Sequence, residues 1–154
     1  MIEVSNKSAF DFAMQSGPHH FGLGLIIILL LAAGFIAITF IQSGLDKVFN
    51  YKENLGWIGE QFSKTFLKST IKIFLPIIMI GELAGGLLCL DGIVELIRKM
   101  NVLPVMLGFA VSGLVLLMLL FGQRVSKQYV GAVGLTGYFI IILIGLLSAA
   151  VLSI

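Results

Sequence analysis

The sequence predicts an all-α membrane protein: a bundle of four transmembrane helices, with an amphipathic helix lying at the interface in the first loop. Three observations lead there. The chain has 154 residues, of which 58% are apolar and only 12% charged, and its mean hydropathy is +1.08. A soluble domain of this size needs far more polar surface around its core. Four stretches reach the roughly 20 apolar residues that a helix needs to cross a hydrocarbon core. Nothing in the chain alternates polar with apolar residues as a transmembrane β-strand does.

The spans are expected at 21–41, 73–97, 102–121 and 130–154, within one domain covering 1–154. The first carries no charge. Its apolar run is longer than that of a cleavable signal and no basic segment precedes it, so it reads as a retained anchor. Gly17-Pro18 is expected to break any helix ahead of it, and His19, His20 and Phe21 suit a membrane interface. Phe10, Ala13 and Met14 of the amino-terminal segment could dock at the same level. The second span holds Glu82 near its middle and Asp91 and Glu95 towards its end, where Arg98 and Lys99 fall within pairing distance of Glu95 on one helix face. Pro104 opens the third span, where its missing N–H removes no helical hydrogen bond. A short polar turn, 123–128, makes the third and fourth spans antiparallel neighbours.

Between the first two spans, Asn54 to Ser69 reads as an amphipathic helix. Leu55, Ile58, Phe62 and Phe66 recur at helical steps with Trp57 beside them, and Gln61, Lys64 and Lys68 take the other side. Trp and Lys are frequent at headgroup level, so Trp57, Phe62 and Phe66 are expected to face the membrane. A partner-binding segment is the competing account.

Several function classes are set aside. The net charge of +2 and the absence of a basic run with interleaved aromatics give no nucleic-acid surface. A single cysteine, Cys89, cannot make an internal disulfide or a redox pair, and reads as a small buried hydrophobe. Adjacent histidines outside the spans do not make an axial pair for one haem. No metal cluster, phosphate-binding loop or nucleophile–base pair is visible, so no catalytic residue, metal or cofactor is assigned within the chain.

What remains are glycines and one acid. Helices in lipid gain nothing from excluding hydrocarbon between them, so residues that let backbones approach matter. Gly81 and Gly85 form a GxxxG step with Gly86 adjacent. Gly108 with Ser112 and Gly145 with Ala149 form similar steps. These glycines read as helix packing, or as places where a ligand approaches the backbone. An acidic side chain at mid-membrane costs about 2.5–3.5 kcal/mol and seeks a partner. For Glu82 the candidate is Lys47, just past the first span and able to reach inward. Asp46 could instead hold that lysine at the surface, leaving Glu82 as a neutral carboxyl bonded to a carbonyl or hydroxyl. Structural pairing, a functional polar site and a proton path all remain open for Glu82.

The segments FIQSGLDKVFNY and IGELAGGLLCLDG resemble the DoxX family of small four-helix bacterial membrane proteins. The family's G-x-x-K step after its first helix is matched by Gly44 to Lys47, and its glutamate followed by glycines by Glu82, Gly85 and Gly86. The resemblance implies a multi-pass protein of the bacterial inner membrane. It further implies a non-catalytic accessory subunit in contact with lipids and other membrane subunits, in a redox-linked assembly where quinone is the candidate cofactor. The rival expectations are a subunit that contacts quinone directly with Glu82 handling a proton, and a small transporter or proton-conducting bundle. The thiol chemistry of a more distant cysteine-pair group does not carry over, because the chain has one cysteine. Orientation is read two ways. Lys47, Lys52, Lys64, Lys68 and Lys72 in the first loop, with Arg124 and Lys127 in the third, point that side to the cytoplasm. The resemblance implies the reverse.

Overall fold

The computed structural model describes the backbone of residues 2–153 and the side chains of residues 21–153. The side-chain expectations for Phe10, Ala13, Met14, His19 and His20 lie outside the described residues. Every element is helical: α1 (Ile2–Phe49), α2 (Tyr51–Gln61), a single 3-10 turn (Phe66–Ser69), α3 (Ile71–Lys99), α4 (Leu103–Val125) and α5 (Tyr129–Leu152). Four segments are long and apolar enough to cross a membrane: 21–49 within α1, and the whole of α3, α4 and α5. The large apolar side chains left on the outside, such as Leu31, Ile38, Ile73, Leu114 and Leu147, are what a lipid-facing surface requires.

Two boundaries differ from expectation. Gly17-Pro18 does not end a helix, because α1 is continuous from Ile2. Proline's fixed φ is helical, and its cost is one lost hydrogen bond and a clash that the backbone can accommodate. At the other end α1 continues well past Ile41 to Phe49, so Lys47 stands in its last turn rather than beyond it. The apolar run stops where polar residues begin, but nothing in QSGLDKVF stops a helix.

The helices close into a ring in the order α1, α3, α4, α5. α3 packs on both α1 and α4, α5 joins α4 to α1, and α1 and α4 barely touch across the diagonal. Leu29, Ile36, Cys89, Val105, Phe109 and Ile142 fill the centre. Cys89 is buried among them and free. Small residues decide how close the helices come. A Cβ at Gly44 would meet Leu83 at 2.7 Å, one at Gly86 would meet Ile41 at 2.8 Å, and one at Gly108 would meet the Cys89 backbone at 2.7 Å. Gly81 and Gly85 press on Val115 and Ser112 of α4, and Gly145 on the Phe109 ring. The connections are tight. Met100 closes α3 in the left-handed conformation at φ 53°, and the Asn101 side chain accepts the Leu103 N–H at 3.1 Å where α4 begins.

The first loop is not the single helix expected over Asn54 to Ser69. α2 starts earlier and ends at Gln61. The chain then turns through 62–65 before the 3-10 turn. Thr65 and Ser63 hydroxyls donate to the carbonyls of Phe62 and Glu60, a local bonding that competes with helix continuation. The apolar residues consequently split. Phe62 turns inward against Gly122 of α4, whereas Trp57 and Phe66 are 60% and 74% exposed.

Leucine at the packed glycines should separate helices that have no room for it, at a cost of about 1–3 kcal/mol. Thermal unfolding in mild detergent is expected to show clear losses for Gly85→Leu and Gly108→Leu and none for Val133→Leu, which lies on the outer surface. Equal tolerance at all three positions would overturn the close-packing account.

Candidate functional site

The polar centre of the bundle lies where α1 meets α3. Glu82 is on the inward face of α3 with Gly85, Gly86 and Cys89, and its side chain is only 3% exposed. Lys47 reaches it from the last turn of α1: Nζ lies 3.0 Å from Oε1 and 2.9 Å from Oε2. The Oε1 contact is a well-directed hydrogen bond. Oε2 has no hydrogen bond of its own among the described residues, so its contact with the ammonium is essentially Coulombic.

A third residue completes the cluster. Ser43 stands one turn before Lys47 on the same face of α1. Its hydroxyl donates to Glu82 Oε1 at 3.1 Å and accepts from Lys47 Nζ at 2.7 Å. The Ser43 carbonyl accepts a longer bond from Nζ at 3.4 Å. Sequence reasoning overlooked Ser43, although its four-residue spacing from Lys47 was the available signal. Asp46 does not compete for the lysine. Adjacent residues point to different sides of a helix, and the Asp46 carboxylate faces outward to accept from Asn50 at 2.8 Å and Asn54 at 3.4 Å.

The glycines flank this cluster on two sides. Gly44, against Leu83, and Gly86, against Ile41, bring α1 and α3 together beside the ion pair, while Gly81 and Gly85 serve the α4 side of the same helix. Lys47 itself is 15% exposed, so the pair has one end at the edge of the bundle and the other inside it. α3 extends eleven residues beyond Glu82 towards the first loop, on the order of 16 Å. α1 therefore ends short of its neighbours on that side, and α2 with the 3-10 turn occupies the remaining corner.

Beneath that corner lies an apolar cavity of about 480 Å³, open on one side, between the first loop and the adjoining halves of α3 and α4. Its size is that of a small-molecule pocket. Ile78, one helical turn before Glu82, forms part of its wall. Trp57 faces a separate, polar groove with Asp46, Asn50, Glu53 and Asn54. Among the described residues, no three of His, Cys, Asp or Glu come together as metal ligands.

No family model, curated protein or solved structure matches the chain.

The pair has an asymmetry that can be measured. Lys47 can swing to water when its partner is neutralised, whereas Glu82 cannot. Lys47→Met is therefore expected to cost about 3 kcal/mol, the cost of orphaning a buried charge. Glu82→Gln keeps a hydrogen-bonding group and should cost about 1 kcal/mol. The double variant should lose less than the sum, by about 2 kcal/mol in a cycle of detergent-phase stabilities. Strict additivity would mean that the two residues act independently.

Proposed function

We propose that the chain is a DoxX-like accessory subunit of the bacterial inner membrane: a four-helix platform, without catalysis of its own, on which a helix of another membrane subunit packs. One contrast among the glycines carries this reading. Those inside the ring are pressed against a neighbouring helix, whereas Gly22, Gly24 and Gly34 of α1 and Gly134 and Gly137 of α5 have open space where a Cβ would stand. Of these, Gly134 stands one helical turn before Tyr138 of α5, whose ring meets that of Phe35 of α1 at 5.5 Å. A lipid-facing helix has no use for glycine, which weakens it relative to alanine. A helix that receives another helix does.

The Lys47–Glu82–Ser43 cluster fits such a platform as a latch. The carboxylate is already engaged by an ammonium and a hydroxyl, and this favours holding α1 on α3 over shuttling protons. The redox link, quinone included, rests on the family resemblance, as do the bacterial inner membrane and the direction in which the first loop points. α2 completes the platform by lying at headgroup level, with Trp57 in the interfacial belt.

Leucine at Gly134 and Gly137 should leave the isolated protein's melting temperature unchanged while abolishing co-purification of a stoichiometric membrane partner in mild detergent. A chain that purifies alone from its native membrane, or a partner retained by the double variant, would contradict the reading. Trp57 is the only tryptophan, which makes α2 directly testable in vesicles. Its fluorescence should be quenched by lipids brominated near the headgroup and only weakly by aqueous acrylamide; the opposite pattern would place α2 in water.

A further inference from the structure

We propose that the outer face of α3 receives a transmembrane helix of another membrane subunit, one that sets a lysine or arginine opposite Asp91. The proposal rests on the platform reading above and adds to it a second contact face and the chemistry of what binds there.

One outward stripe of α3 carries the observation. Ile73, Ile77, Ile80, Leu87 and Val94 follow one another at three-, four- and seven-residue steps, and all are exposed. Asp91 falls in the same stripe, four residues after Leu87 and three before Val94, and it is exposed as well. Nine residues from Glu82, it points to the opposite side of the helix.

The acid lies within the apolar band. Gly44 against Leu83 and Gly86 against Ile41 set an antiparallel register between α1 and α3, which puts Asp91 level with Ile36 of α1. Leu31 and Ile28 of α1, both exposed, lie beyond that level, towards the end where α3 stops. On the other flank, Gly92 against Val105 puts Asp91 beside the first turns of α4, where Leu103 and Leu107 are exposed. Lipid-facing side chains thus surround Asp91 on its own helix and on both neighbours.

The carboxylate has no remedy inside the chain. Among the described residues the two ion pairs are Lys47–Glu82 and Lys99–Glu95, so Asp91 is paired with none of the described cations. Nor can it reach the headgroups. Its stem is a single methylene, and helical side chains lean towards the helix amino terminus. In the second half of α3 that direction is away from the nearer helix end and from Arg98. A charged group facing lipid is costly, and acids within spans pair with cations. Glu82 follows that rule inside the ring. Asp91 follows it only with a cation from outside, and the apolar side chains on either side of it give a helix something to pack on.

The test uses the full-length protein with photoreactive p-benzoylphenylalanine in place of Val94. It is reconstituted in phosphatidylcholine vesicles with a leucine–alanine transmembrane peptide that bears one lysine, or one glutamine at the same depth. The lysine peptide should crosslink about fivefold more than the glutamine peptide, the size of one interhelical polar contact. Asp91→Asn should equalise the two peptides at an unchanged melting temperature, whereas Glu95→Gln should leave the preference intact. In the native membrane the same photoreactive protein should give an adduct whose crosslinked segment is a membrane span with a lysine or arginine, and Asp91→Asn should remove it. Equal crosslinking of the two peptides overturns the proposal. So does a preference that survives Asp91→Asn, an adduct with a span that has no basic residue, or adducts with lipid alone. Where any of these accompanies a partner that is still lost on leucine substitution of Gly134 and Gly137, the α3 contact fails and the platform reading stands; a chain that purifies alone removes both.

Discussion

The close approach of α3 to its two neighbours is the constraint on which the remaining structure depends. Hydrocarbon around the bundle is as apolar as the side chains within it, so helices associate through packing and polar contacts. α3 meets both needs by placing glycines on two faces: Gly86 towards α1, and Gly81, Gly85 and Gly92 towards α4. With side chains at those positions the helices would stand further apart, and Lys47 could not lie 3.0 Å from Glu82. The ion pair thus follows from the glycine packing. In turn it fixes the rotation and depth of α1 against α3, because a carboxylate that cannot reach water holds its partner in one place.

The three-residue cluster also explains why an acid is tolerated at this level. Glu82 looks mid-membrane when counted along α3, but its partner comes from the end of α1. Because α1 is the shorter helix on the loop side, the ammonium enters from the edge of the bundle and its stem crosses little hydrocarbon. Ser43 adds a hydroxyl from within the same helix turn. The site is therefore a polar seam between two helices. It differs from the cavity under the loop, whose walls are hydrocarbon.

What could be read from the sequence follows a physical division. Hydropathy over windows of membrane length reports lipid exposure, so the four spans were legible, and the expense of a lone acid in lipid made Lys47 and Glu82 visible as a pair to consider. Hydropathy does not report where a helix stops. Residues 42–49 belong to α1 although they are partly polar, and their inward face, Ser43 and Lys47, is what the apolar count passes over. The loop was misread for a related reason. Leu55, Ile58, Phe62 and Phe66 keep helical spacing on paper, but the Thr65 and Ser63 side chains bond to nearby carbonyls and interrupt the helix after Gln61. The two sets of glycines, pressed and open, have the same one-letter code, and only the neighbouring helix distinguishes them. The cavity left no signal at all, since it is formed by segments from three parts of the chain.

Segment 50–70 contains no buried residue, and its position over the corner left by α1 has a dynamic consequence. Unfolding it would break few tertiary contacts, whereas displacing any of the four long helices would break many. Local stability therefore falls into two tiers, with the loop as a separate low-stability unit resting on a cooperative bundle. Its backbone amides would exchange with solvent through small openings that the bundle amides do not share. The rate of that exchange follows the loop's own opening equilibrium, independently of the global unfolding free energy.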